Sequence, residues 1–299
     1  MNLSDNARGA LMMAAAMAAF TLNDTMLKLV SDDLPLFQAM FLRGVLTTLA
    51  FLLLAWRLGA LAVAIAPADR RLIGWRVLAE TGAAFFFLTA LFNMPLANVT
   101  AILQALPLTV TLAGALFLRE SVGWRRLLAI AVGFVGVMLI VRPDADGFDR
   151  FAIMALIAVA FVTLRDLVTR RMSAGVPSMT VALATAGGVT LFALIGGVTE
   201  DWARPSPANW AALSGAVVFI IAAYLLSVMA MRVGELGFVS PFRYTGLIWA
   251  LVLGFLVFGD WPDGVTLLGA ALVVGTGLFT LYREHRLARN LARAAQPRA

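Results

Sequence analysis

No cysteine occurs in the 299 residues, which excludes disulfides, thiolate metal sites and cysteine nucleophiles. Histidine is nearly as scarce: His285 stands alone in an arginine-rich tail, so histidine-based triads and zinc clusters go as well. There is no Gly-x4-Gly-Lys-Ser/Thr loop for nucleotide phosphates, no Gly-x-Ser-x-Gly elbow and no His-Glu-x2-His helix. Neither an enzyme nor a bound cofactor or metal is expected. Charge is thin too, at 13% of residues against about 25% in soluble domains. What fills the chain is hydrocarbon, with 62% hydrophobic residues and a mean hydropathy of +0.91. The net charge of +6, in so apolar a chain, points to loops facing an anionic leaflet rather than to nucleic acid.

A helix crosses the hydrocarbon core with about 20 mostly apolar residues. Ten segments qualify: 9–30, 34–56, 72–92, 97–118, 124–142, 148–168, 176–198, 208–231, 235–258 and 264–282. Residues 10–20 resemble the core of a signal peptide, but polar Asn23 and Asp24 occupy the place of a cleavage region and nine spans follow. With the N-terminus inside, 17 Arg fall on the cytoplasmic side and three (Arg142, Arg150, Arg204) on the other. The positive-inside rule therefore expects both termini on the cytoplasmic side. Six of the seven Trp lie at span ends, where an interfacial aromatic belt belongs.

The halves repeat. Thr21-Leu22-Asn23-Asp24 with Lys28 and Pro35 aligns at an offset of 142 with Thr163-Leu164-Arg165-Asp166, Arg170 and Pro177. A second match, offset by 140, pairs Phe117-Leu118-Arg119-Glu120 with Val257-Phe258-Gly259-Asp260, and Thr100 and Gln104 with Ser240 and Tyr244. Five spans per repeat is an odd number, so the second enters the membrane upside down. The expected fold is an all-α integral membrane protein of ten transmembrane helices in two inverted five-helix repeats, 1–143 and 144–283, with a basic cytoplasmic tail at 284–299. Inverted repeats serve alternating access around a central site, which marks a secondary transporter. A passive channel or lipid flippase is the competing class, and a pore does not need the repeat.

The five-plus-five plan, the mid-span Pro107-Leu108 followed by Phe117-Leu118-Arg119-Glu120, and the glycines of the fifth span (Gly133, Gly136) resemble the EamA branch of the drug/metabolite transporter superfamily. The likeness covers about 9–282 and is most similar to YddG-type bacterial amino-acid exporters. It implies an inner-membrane carrier that moves amino acids, aromatic ones included, and related metabolites outward. The superfamily also carries sugars, vitamins, S-adenosylmethionine and drugs, which stand as the alternative. Gly259-Asp260 replaces the usual closing Glu, and the second repeat has Leu247 where the first has Pro107.

The fifth and tenth spans carry almost no polar side chain but offer small faces, Ala129 with Gly133 and Ala271 with Gly275, and read as scaffold. The cavity falls to the other helices. Thr100, Gln104, Pro107 and Thr111 form a polar stripe on the fourth span; Ser240 and Tyr244 form its counterpart on the ninth. Helix–helix hydrogen bonding is the other reading of both stripes. Glu80, Phe87, Tyr224, Arg243 and Trp249 complete the expected substrate-cavity lining, with Phe85 and Phe86 beside Phe87. Ionisable residues within spans face a cavity, a partner or the interface. Asp24 and Lys28, four apart, are placed to pair as a structural bridge, or Asp24 forms an outer gate with Asp166 as its inverted counterpart. Arg43 is set to meet Asp24 or a substrate carboxylate, and Glu80 to meet Arg43 or Arg243, a proton or a substrate ammonium. The expected partners are a small molecule, amino acids foremost, and membrane lipid, with no nucleic acid and a monomer as the working unit.

Overall fold

A computed structural model describes residues 4–62, 65–118, 123–142, 149–173, 175–233 and 236–294. These form α1 (Asp5–Leu29), α2 (Leu36–Arg57), α3 (Pro67–Asn93), α4 (Leu96–Leu103), α5 (Leu106–Leu118), α6 (Trp124–Val141), α7 (Arg150–Arg170), α8 (Ser178–Gly196), α9 (Pro207–Val233), α10 (Leu236–Val239), α11 (Thr245–Phe258) and α12 (Gly264–Ala294), with no strand among the described residues. Prolines start five of them: Pro35, Pro95 and Pro177 immediately precede α2, α4 and α8, while Pro67 and Pro207 open α3 and α9. Proline suits that place because the first amides of a helix have no internal acceptor. Ser4 and Asp149 cap α1 and α7 by accepting from Ala7 N–H (3.3 Å) and Phe151 N–H (3.0 Å).

Among the described residues ten crossings result, and the start of α1 and the end of α12 lie on one side, called here the near side. Nine of the crossings are apolar over at least 18 residues, and the apolar part of α6 is shorter, Leu127–Val141. Two differ from the continuous rods expected of them: α4 with α5, and α10 with α11, are single crossings broken midway. The Trp side chains at 56, 75, 124, 202, 210 and 261 are all exposed at or near helix ends. The last helix runs on to Ala294, through much of the expected basic tail.

Packing follows the repeat. The tight pairs are α1 with α9, α3 with α7, α2 with α8 and α6 with α12, and each joins one half to the other. The first two are each other's images, and the other two map onto themselves. Where equivalent residues touch, the pseudo-twofold axis passes between them. Thr48 and Thr190, 142 apart, share a hydrogen bond of 3.1 Å, and Gln104 Nε2 donates to the Tyr244 carbonyl, 140 apart, at 3.3 Å.

Small residues make the close crossings possible. Ala216, Ala223 and Ala230 form a buried seven-residue seam on α9, and Ala83 and Ala90 repeat it on α3. On α6 and α12 the expected scaffold contact forms, but partly through other residues. Gly136 and Gly269 lie against each other's backbone, and Gly133 meets Leu108 and Thr276, whereas Gly275 has open space beside it and Ala271 is exposed. Of the repeated motif, Arg119 and Glu120 lie outside the described residues. Its second copy is a helix stop: Gly259 takes φ of 71°, and Asp260 N–H returns to the Gly254 carbonyl at 3.0 Å.

Candidate functional site

The two broken crossings meet at the axis. In the first, Gln104 ends α4, and α5 restarts at Leu106 with Pro107 in its first turn, where proline's missing N–H costs no internal bond. In the second, Ser240–Tyr244 is a 3-10 turn containing Pro241, so the break recurs although Leu247 replaces the equivalent proline. Unwound backbone at membrane depth is tolerated only inside protein or beside a cavity, and transporters place substrate at such breaks. The expected stripe is therefore interrupted. Thr100 stays on α4, Thr111 is buried on α5, and Gln104 bridges the halves. Ser240 begins the 3-10 turn. The Tyr244 ring lies against Gly277 of α12 with its hydroxyl buried and unpartnered, so it packs on the scaffold instead of lining an opening. Trp249 shares the exposed face of α11 with Ile248, Val252 and Leu256, a lipid-facing stripe.

Just to the near side of the breaks lies an ionic network centred on Arg165 of α7. Its Nη1 approaches Glu80 Oε2 of α3 at 3.2 Å, both side chains 26% exposed, and its Nη2 reaches Asp166 Oδ1 at 2.9 Å. Arg76, one turn before Glu80, donates from Nε to Thr169 Oγ1 (3.0 Å) and from Nη1 to Thr185 Oγ1 (2.7 Å). Arg243, exposed on the 3-10 turn, stands within electrostatic reach of Asp166 and Arg165. Glu80 thus pairs with Arg165, rather than with Arg43 or Arg243. The alanine seam explains why only one half carries this network. At the 140 offset Arg76 and Glu80 answer to Ala216 and Ile220, so α3 against α7 is charged where α9 against α1 is hydrocarbon.

On the far side the equivalent position is filled differently. Asn23 Nδ2 donates to Asp24 Oδ1 at 2.8 Å, the counterpart of Arg165 Nε to Asp166 Oδ1 at 2.9 Å. Arg43 of α2 lies in the field of both Asp24 and Glu80, without an ion pair inside 4 Å among the described residues. Lys28 does not pair with Asp24. Its Nζ binds the α3 end carbonyls of Leu91 (2.9 Å) and Met94 (2.7 Å) and sits 5.6 Å from the Phe258 ring. A helix C-terminus presents free carbonyls and a negative dipole end, which outcompetes a carboxylate one turn away.

The far end is closed by aromatic rings. Phe37 stacks on Phe85 at 5.6 Å, Phe192 packs edge-on against both, and Phe86 stacks on Phe161. Over them, Glu200 accepts the Phe37 and Gln38 amides at 3.2 Å each, and Gln38 holds Ala203 through two bonds of 2.6 and 2.9 Å. Two cavities lie elsewhere, one at the near end and one along the bundle. A cavity of about 490 Å³ lies between Leu58, Pro177, Met179, Tyr224 and Met229, with Phe51 edge-on to Tyr224. A second, of about 690 Å³, runs along α5, α6 and α7 from Ala105 to Arg171, past Thr109 and Thr163. Phe87 packs where the two main core clusters meet.

Asn23, Arg76 and Arg165 were not among the residues singled out from sequence. The two arginines counted as surface charges because they lie within a few residues of span ends. The alignment of Asn23 with Arg165, next to matched aspartates, was the available signal.

The EamA-like transporter family profile matches twice, over residues 7–142 and 150–282. A riboflavin transporter of Vibrio cholerae is 30% identical over 227 residues, 73% of this chain and 76% of that protein. An S-adenosylmethionine uptake transporter of Rickettsia conorii is 25% identical over 194 residues, 64% of this chain and 65% of its own length. A solved crystal structure superposes with a TM-score of 0.64 over 93% of this chain and 98% of that one at 18% identity, a likeness of fold alone.

Proposed function

The chain belongs to the EamA-like transporter family, and we propose that within it this protein carries riboflavin, or a neutral heteroaromatic metabolite of that size, by alternating access. The observation that carries the reading is the 30% identity to the Vibrio riboflavin transporter over three quarters of both chains. The relatives thus favour the vitamin alternative over amino-acid export. The Rickettsia relative's uptake role supports inward movement.

Charge decides between the two relatives' substrates. Among the ionic residues that flank the two helix breaks, Arg43, Arg76, Arg165 and Arg243 outnumber Asp24, Glu80 and Asp166, and each acid already faces an arginine. A sulfonium cation about 6 Å from an uncompensated guanidinium would meet about 3 kcal/mol of repulsion at an effective dielectric of 20. A neutral ring system escapes that penalty and suits the aromatic surfaces of Phe85, Phe86 and Tyr224.

In this reading residues 1–143 and 144–283 are the two rocking halves, both termini are cytoplasmic in a bacterial inner membrane, and one chain suffices. The latched far side and the open near side correspond to an inward-facing state. Glu80, Arg165, Asp166, Arg243 and Gln104 border the substrate path, and Asp24 with Arg43 lies at its outer end. The test is riboflavin flux, followed by flavin fluorescence, in liposomes holding the purified chain. Saturable flux blocked by flavins and indifferent to tryptophan and S-adenosylmethionine is expected. Saturable amino-acid movement without riboflavin movement would refute the proposal.

A further inference from the structure

The outer polar cluster is incomplete in a way its inner image is not. In the second repeat Arg165 spends its donors on Asp166 and Glu80. In the first, Asn23 gives its amide to Asp24, but its Oδ1 has no partner although the residue is only 3% exposed. The amide orientation is not arbitrary, since the carboxylate of Asp24 accepts and only the NH₂ group donates. Arg43, which lies in the field of Asp24, keeps its Nε buried and unpartnered. The two residues stand at matching positions along their helices: Asn23 is six residues from the far end of α1 and Arg43 seven from that of α2, about 9 and 10 Å at 1.5 Å per residue. Idle buried hydrogen-bonding atoms are rare in folded proteins, and an acceptor and a donor left idle on either side of Asp24 suit the two halves of one polar edge.

We propose that Asn23 Oδ1 and Arg43 Nε form the specificity contact for the substrate's polar edge, and that this edge is an imide or lactam, a ring N–H beside a ring carbonyl. The N–H donates to Asn23 and the carbonyl accepts from Arg43. Asp24 fixes the Asn23 amide, and its charge offsets that of Arg43, so the pair presents a nearly neutral face. The inference rests on the heteroaromatic reading above, because the flavin ring carries such an edge at N3 and its flanking carbonyls. A site that hydrogen-bonds a substrate group rejects analogues lacking it more sharply than an apolar pocket rejects a missing methylene.

The experiment is competition against riboflavin flux in liposomes containing the full chain, comparing riboflavin with its N3-methyl derivative. In the wild type the methylated flavin should compete at least tenfold more weakly. In Asn23→Leu riboflavin should weaken at least tenfold, and the two flavins should become equivalent. Riboflavin flux with equal competition by both flavins in the wild type overturns this assignment while leaving the vitamin reading intact. Absence of riboflavin flux overturns both. Should Asn23→Leu fail to insert, the wild-type comparison still decides, since it needs no substitution.

Discussion

Replacing Arg165 with methionine removes the cation that pairs directly with both Glu80 and Asp166. The Arg165–Glu80 separation of 3.2 Å corresponds to about 5 kcal/mol of gross attraction at an effective dielectric of 20. Desolvation of both groups, each about three-quarters shielded, offsets a large part of it. A net coupling of about 2 kcal/mol remains, and Asp166, at 38% exposed, adds less because solvent screens it. Arg165→Met strands two acids and should destabilise by about 3 kcal/mol, the lower end of the range for breaking a buried pair. Glu80→Gln leaves Arg165 with Asp166 and should cost about 1.5 kcal/mol. The double variant should cost about 2.5 kcal/mol, well short of additive. Equilibrium unfolding of the three proteins in mixed detergent micelles, read by tryptophan fluorescence, gives the cycle. Costs that add to within about 0.5 kcal/mol would refute the network as a coupled unit.

Lys28→Met deletes two charge-assisted bonds to the end of α3 and should destabilise by about 3 kcal/mol in the same unfolding measurement, whereas Asp24→Asn should leave the Lys28 contribution unchanged. Glu200→Gln weakens the latch over the aromatic plug; labelling of a single cysteine introduced at Phe192, in a chain that has none, by a membrane-impermeant maleimide added from the far side should rise severalfold, and unchanged labelling would argue against the latch. Asp263, in the loop before α12, accepts the Thr266 and Val265 amides and pairs with Arg142, which together hold its carboxyl below the usual range. Its stabilisation is complete above the ordinary aspartate value of about 3.9 and is lost as pH falls through the lowered one. The thermal stability gap between wild type and Asp263→Asn should therefore hold from neutral pH down to about 4 and close below it.

Hydropathy made the ten crossings legible because each obeys a length imposed by the bilayer, and internal repetition made the inverted plan legible. The helix breaks were not, since Pro107 advertised one while the other arose at Pro241 without an equivalent. The site was legible by residue type more than by partner. Glu80, Asp166 and Arg243 converge, but on Arg165, whose position near a helix end read as an interfacial charge. Lys28 looked paired with Asp24 along its own helix until the α3 carbonyls, sixty-odd residues away, came within reach. Local spacing says which side chains share a face, not what a neighbouring helix offers them. Tyr244 and Trp249 illustrate the same limit: one rotates onto Gly277 and the other toward lipid.

The cross-half pairing of helices has a consequence for how the protein is made. As the chain leaves the ribosome, α1 waits for α9, and α6 waits for α12, the last helix of all. No early helix meets its main partner during synthesis of the first half, so that half must reside in the bilayer, or beside the insertion machinery, with its alanine seam and its arginines unmet. Assembly is then a late event in which two preinserted sets zip together. The chain cut in the 143–149 connection should yield two fragments, each a target for membrane proteases when alone and each rescued by the other when co-expressed.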